Sequence, residues 1–167
     1  APNGQNGILI EGNAIHATIR TSVCSGNIES GIALAGNSSY TTIESVICGP
    51  STNYSTPVSN KYGITITDDA NNNTIDFTHN SVIRKSVFSG NTKHGIQLLG
   101  NSKYNSFYSD FVGVAYVEKT DDVVVMSNGA NGVFLDGATN HNTITDKSII
   151  SGNIEWGVYF NALTVVE

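Results

Sequence analysis

Hydrophobic residues recur along this chain in a repeated thirteen-residue phrase, not at helical spacing. The phrase begins at Gly7, Gly31, Gly63, Gly95 and Gly132, reading GILIEGNAIHATI, GIALAGNSSYTTI, GITITDDANNNTI, GIQLLGNSKYNSF and GVFLDGATNHNTI, and a sixth copy opens at Gly157 as GVYFNAL. In every copy the second and fourth residues are apolar: Ile8 and Ile10, Ile32 and Leu34, Ile64 and Ile66, Ile96 and Leu98, Val133 and Leu135, Val158 and Phe160. That period of two predicts a strand with one buried face. Gly, Asn or Asp pairs follow in most copies and tolerate the dihedrals of a bend. A second short strand is predicted at Thr18-Ile19, Thr42-Ile43, Thr74-Ile75, Ser106-Phe107 and Thr143-Ile144. A third is predicted at Val23-Cys24, Ile47-Cys48, Val87-Phe88, Phe111-Val112 and Ile149-Ile150.

Three short strands in a repeat of roughly 24 residues leave no room for each repeat to build its own core. Stacked in parallel at about 4.8 Å, equivalent positions form columns, and the apolar columns merge into a core that all repeats share. The expected fold is all-β, a single-stranded parallel β-helix, or solenoid, of about six turns. The repeat starts lie 24, 32, 32, 37 and 25 residues apart, so the longer repeats carry insertions. These fall at residues 49–62, 76–83 and about 113–124, and insertions of this kind gather on one side of a solenoid, often the binding side.

Composition shows no shift along the 167 residues, so 1–167 reads as one domain. The sequence opens at Ala1 without Met and shows no amphipathic cap near Glu167, which reads as a piece of a longer parent chain or one capped by another subunit. Charged residues are only 13%, with Asn, Ser, Thr and Gly in their place. Net charge is −6 and the eight Lys and Arg do not cluster, which argues against a nucleic-acid partner. No apolar run reaches the length of a membrane span and no signal peptide is visible. Cys24 and Cys48 hold the same place in successive repeats, within disulfide distance, although stacked side chains that point in parallel favour two thiols serving as small hydrophobes.

The phrases Ser25-Gly26-Asn27, Ser89-Gly90-Asn91 and Ser151-Gly152-Asn153, each shortly before the next GI or GV, resemble the consensus of the parallel β-helix repeat family. The longer pattern SVFSGNTKHGIQLLGNSKYNSF, a loop, then NGANGVFLDGATNHNTITDKSIISGNIEWGV is similar to repeats of large secreted and cell-surface β-helix proteins of bacteria, also met in large viruses. Where that family has an NYIGT-like loop, Ile47-Cys48-Gly49 and Phe111-Val112-Gly113 stand here. The resemblance covers nearly the whole chain and implies a right-handed, pectate-lyase-like solenoid. Its members span lyases, hydrolases, epimerases, tailspikes and adhesins, so fold does not select a function.

Enzymes of that resemblance act on uronic-acid polymers, and their motifs are missing: there is no Asp-Pro-His, no pair of arginines around proline, and only two arginines in all, Arg20 and Arg84. One charged constellation remains. Arg20, Glu44, Arg84, Tyr108 and Thr145 are expected in one outward column, with Asp76, Lys85 and Asp110 nearby. Glu44, Asp76 and Arg84 are thus the catalytic candidates, a carboxylate pair beside cations that could share acid and base work on an acidic sugar. The competing reading of the same column is an exposed ion ladder.

A second column, nine residues after each start, reads His16, Tyr40, Asn72, Tyr104, His141. Its rings, His16, Tyr40, Tyr104 and His141, are the candidate carbohydrate-binding residues, and the competing reading is shielding of a corner by stacking. Asn73, Asn105 and Asn142 share a column suited to a ladder of amides. No spacing resembles a zinc or calcium motif, so no metal or other cofactor is expected; loop acids such as Asp68, Asp69, Asp121 and Asp122 could hold calcium, but the favoured reading of them is solvated loop charge. Asn37, Asn53 and Asn72 begin N-glycosylation sequons. Val23, Ile47, Val87, Phe111 and Ile149 form an outward apolar column, to be covered by insertions or by side-by-side association of several copies.

The expected function is a rigid structural or adhesive module, extracellular and displayed on a cell or virion surface, that presents its loop-bearing face to glycans. The alternative is a polysaccharide-processing enzyme, a lyase, hydrolase or epimerase, for which a viral tailspike or fibre is one setting.

Overall fold

The computed structural model describes residues 2–76, 86–117, 120–145 and 147–162. Among them there is no helix, and the strands fall where the period-two pattern places them. A six-stranded parallel sheet takes one strand from each repeat, in chain order: Ile8–Ile10, Ser30–Leu34, Tyr62–Ile66, Ile96–Leu98, Val133–Gly137 and Val158–Ala162. A five-stranded parallel sheet collects Thr18–Arg20, Thr42–Glu44, Thr74–Asp76, Ser106–Tyr108 and Thr143–Thr145. The third parallel sheet collects Ile47–Cys48, Val87–Phe88, Phe111–Val112 and Ile149–Ile150, and Val23 is bridged to Ile47 at its edge. Registers join equivalent positions: Ile8 to Ile32 to Ile64 to Ile96 to Val133 to Val158. The chain is all-β, with mostly parallel strands divided among several sheets, an arrangement compatible with a β-helix.

The core is the set of columns that the repeat predicts. Ile32, Leu34, Ile43, Cys48, Ile64, Ile66, Phe88, Ile96, Leu98, Phe107 and Val112 are all buried in one cluster, with Ile8 and Ile10 half-buried against it. At the other end the same columns finish on Val158 and Phe160, which are exposed. The first five repeats open on glycine because rungs touch there: a Cβ on Gly31 would lie 2.6 Å from the Cys24 carbonyl oxygen and 2.8 Å from that of Gly63.

Two of the insertions differ from the expected loops. Residues 114–125 contain an antiparallel hairpin, Val114–Val117 with Asp122–Val125. Residues 50–57 are closed by an antiparallel bridge between Pro50 and Pro57. Both fold over the third sheet's outer face, where Val87 and Phe111 cluster with Val114 and Ala115 and pack against Tyr54, Tyr116 and Val124. The outward apolar column is therefore buried at Val87 and Phe111 and half-buried at Ile47, while Val23 and Ile149 at either end stay exposed. Asp76 belongs to the second strand of its repeat, so the middle insertion starts after it; residues 77–85, including Arg84 and Lys85, lie outside the described residues.

Carboxamides fasten the rungs. The Nδ2 group of Asn3 donates to Asn27 Oδ1 at 2.9 Å, Asn27 to Asn60 at 2.9 Å, Asn60 to Asn91 at 3.2 Å, Asn91 to Asn128 at 3.0 Å and Asn128 to Asn153 at 2.9 Å. The same amides donate to carbonyls of the third sheet, Asn60 to Cys24 and Asn91 to Cys48. A second ladder, the one expected from sequence, joins Asn73 to Asn105 and Asn105 to Asn142 at 3.1 Å each. Replacing Asn91 by Ala removes hydrogen bonds in a buried site, the one accepted from Asn60 and those donated to the Cys48 carbonyl and to Asn128, which should destabilise the fold by about 2–4 kcal/mol. Asn37→Ala, which removes only an exposed amide contact to Asn13, should cost no more than about 0.5 kcal/mol. Urea denaturation midpoints of the two variants check this, and equal shifts would refute the ladder's role.

Candidate functional site

The charged column is partly as expected. Arg20 and Glu44 are in register, and the guanidinium grips the carboxylate with two atoms, Nε at 2.7 Å from Oε2 and Nη2 at 3.4 Å from Oε1. The next rung holds Asp76, not Arg84: Glu44 and Asp76 are register partners, because the insertion follows Asp76. The expected Arg, Glu, Arg alternation is therefore Arg, Glu, Asp in the strands. Asp110, expected near this outward face, is 1% exposed and its main chain joins Ser148 and Ile149.

The ring column is assembled as expected. His16 stacks on Tyr40 with centroids 5.3 Å apart, and Tyr104 on His141 at 4.9 Å, both pairs 24° from parallel. All four are exposed. They stand on the corner joining the six-stranded to the five-stranded sheet, and the strands on either side are separated by the same interval in all five repeats: Ile10 to Thr18, Leu34 to Thr42, Ile66 to Thr74, Leu98 to Ser106 and Leu135 to Thr143. The insertions at 50–57 and 114–125 leave from a different corner, after the third sheet, and the middle insertion begins after Asp76, at the end of its repeat's second strand. The ring residues and the loop-bearing side, which sequence reasoning treated as one surface, are thus separate.

A second set of rings was not foreseen. Tyr62, His94, Phe134 and Tyr159 form a continuous stack on the outer face of the six-stranded sheet, with centroid spacings of 5.9, 4.6 and 5.8 Å. Sequence columns miss it because Tyr62 and His94 precede their repeat's glycine whereas Phe134 and Tyr159 follow theirs by two. The same offset joins Ser30 Oγ to Thr65 Oγ1 at 2.8 Å. The signal available was an aromatic residue at either of the two outward positions beside each glycine. In this stack both faces of His94 and Phe134 are covered, and Lys61, paired to Glu29 at 2.9 Å, lies 5.3 Å over Tyr62. Such rings brace the sheet and show mainly edges to a ligand. The corner pairs each keep an uncovered face, and a flat apolar face is what a pyranose needs.

Burial lowers the His94 pKa below its ordinary 6.5; Lys93 adds to this and Glu155 opposes it. The geometry requires the neutral ring, since His94 Nδ1 accepts from the Asn131 backbone N–H at 3.2 Å. Cys24 and Cys48 are free and buried. The Cys48 thiol donates to the Cys24 sulfur, lowering the Cys24 pKa, while burial raises that of Cys48. Among the described residues no cluster of His, Cys, Asp or Glu could hold a metal ion, and no helix is long and apolar enough to cross a membrane. No family model, curated protein or solved structure matches the chain.

Because the folded His94 pKa is depressed, the unfolded chain takes up that proton first as pH falls. The neutral ring's full contribution is present above 6.5 and is lost as pH falls from there through the lowered folded value. A His94→Phe variant keeps a ring in the stack and cannot titrate. It should therefore lose less stability than wild type between about pH 7 and pH 5, measured by denaturant unfolding at each pH; parallel losses would show that His94 does not carry the dependence.

Proposed function

We propose that the chain forms a right-handed parallel β-helix of about six turns, one per repeat, and serves as a secreted or surface-displayed structural and adhesive module that binds glycans. Three parallel sheets built from equivalent positions of successive repeats support the architecture. An outer surface rich in Asn, Ser and Thr, with 13% charged residues, suits a solvent-facing scaffold.

One observation carries the glycan reading: the corner rings are exposed, each with a free face, and they sit on the segment of constant length, backed by the ladder of buried Asn73 and Asn105 and half-buried Asn142. Binding therefore belongs on this corner, not on the loop-bearing side. The enzymatic alternative, with Glu44, Asp76 and Arg84 as its residues, has less support, because the Glu44 carboxylate is engaged by Arg20 in a two-point ion pair.

Incubation with a panel of neutral and acidic polysaccharides, followed by mass analysis of the products and by titration, separates the two. Saturable binding with every polymer unchanged in mass is expected, and Glu44→Gln should bind as wild type does. Shortened or unsaturated products that vanish in Glu44→Gln would overturn the module in favour of the enzyme.

A further inference from the structure

At the ring corner two residues per repeat adopt the left-handed backbone conformation: the first is glycine in four repeats and Asp68 in the third, and the second is His16, Tyr40, Asn72, Tyr104 and His141, with φ of 58°, 54°, 56°, 55° and 53°. Asn reaches this region readily, whereas a bulky side chain there is an outlier costing about 1–2 kcal/mol. Asn72 shows that the corner accepts the favoured residue. The tyrosines on the two adjoining rungs are thus better explained by their rings than by their backbones, and backbone outliers of this kind gather at ligand sites. Each ring has a partner on its outer side only, Tyr40 against His16 and Tyr104 against His141. Their remaining faces look toward each other across the rung of Asn72, and they are 55% and 53% exposed.

We infer that the gap between Tyr40 and Tyr104 is a slot for one pyranose ring of a glycan, with the two tyrosines as walls and Asn72 as floor; the inference rests on the glycan-binding reading above. Two rung spacings set the walls about 9.6 Å apart. A flat guest in carbon contact with both walls uses only about 7–8 Å, and a puckered pyranose with axial hydrogens on both faces takes up the rest. The width is held from behind: the Thr41 N–H donates to Asn73 Oδ1 at 2.9 Å and the Asn73 N–H to Asn105 Oδ1 at 3.0 Å. Beside the floor, Asn71 accepts from the Lys103 N–H at 2.7 Å and donates to the Asp69 carbonyl at 2.6 Å. The exposed Asn72 carboxamide offers both a donor and an acceptor to a sugar hydroxyl.

The two walls also select configuration. A sugar ring sandwiched between aromatic faces must present C–H groups on both sides, so an axial hydroxyl would strike a wall and leave a polar group against it unpaired. The slot therefore favours a gluco-configured pyranose, whose hydroxyls are all equatorial, over manno- and galacto-configured ones.

The test uses the full chain made in a bacterial host, which leaves Asn72 unmodified, with β-1,4-linked tetrasaccharides of gluco, manno and galacto configuration, titrated and examined by saturation transfer from the tyrosine protons. The gluco probe should bind best, with saturation reaching both faces of one sugar unit. Tyr40→Ala and Tyr104→Ala should each weaken it by about tenfold. Asn72→Tyr fills the slot with a third ring and should abolish binding, while stacking on both neighbours offsets the backbone cost and the melting temperature stays within a few degrees of wild type. Asn72→His, a residue the corner already accepts at 16 and 141, gives the same plug if the tyrosine variant fails to fold. Glycan binding that survives the plug unchanged overturns the slot and leaves the broader reading standing. Stronger binding of the manno or galacto probe overturns the configuration argument. If wild type binds neither these probes nor any of the polysaccharide panel, the glycan reading falls and the slot with it.

Discussion

The structure depends on getting polar main-chain groups paired across rungs while the chain turns corners inside a packed body. Strands solve this along their length, but a corner leaves N–H and C=O groups with no ladder partner, and a buried unpaired group costs about 1–3 kcal/mol. Asparagine resolves it here. Its carboxamide imitates a peptide unit, accepting from the rung on one side and donating to the rung on the other, so that Asn3, Asn27, Asn60, Asn91, Asn128 and Asn153 continue hydrogen bonding where the strands stop. Because each carboxamide must meet the next, register is fixed even where intervals between repeats differ.

Fixed register decides what the outer surface can be. Identical positions stack, so rings meet rings, as in His16 on Tyr40 and Tyr104 on His141, and an ion pair forms where Arg20 meets Glu44. Apolar outward residues also stack, and the insertions at 50–57 and 114–125 relieve this by covering Val87 and Phe111. A ring whose neighbours above and below are both rings is sealed within its column. Only an interruption, such as Asn72 between two tyrosines, returns an aromatic face to solvent.

The sequence disclosed the core because burial imposes period two: Ile32, Ile64 and Ile96 lie where the pattern puts them, and so do Asn73 and Asn105. It disclosed less where the interval varies. Arg84 was aligned with Arg20 because nothing in the residues marks whether an insertion begins before or after Asp76; the backbone pairing of Asp76 with Glu44 decides that. The hairpin at 114–125 was absorbed into a loop, although Val114 to Val117 and Asp122 to Val125 carry strand-forming residues on both sides of a polar turn. The longer asparagine ladder was hidden for another reason. Ser25-Gly26-Asn27 reads as bend chemistry, and Asn60 and Asn128, which lack the glycine, break the phrase while keeping the carboxamide.

The constant eight-residue step from Ile10 to Thr18, and from each equivalent residue to its partner, has a consequence for how such a chain can change. At the third sheet's corners whole segments enter without disturbing the stack, so there the chain diversifies by length. At the ring corner a single added residue would throw the buried Asn73 out of line with Asn105, so diversification is confined to exchanging one side chain for another. That corner behaves as a row of fixed pegs: moving a gap from one rung to the next relocates a site by one strand spacing, about 4.8 Å, and two gaps would set paired sites at whole multiples of it.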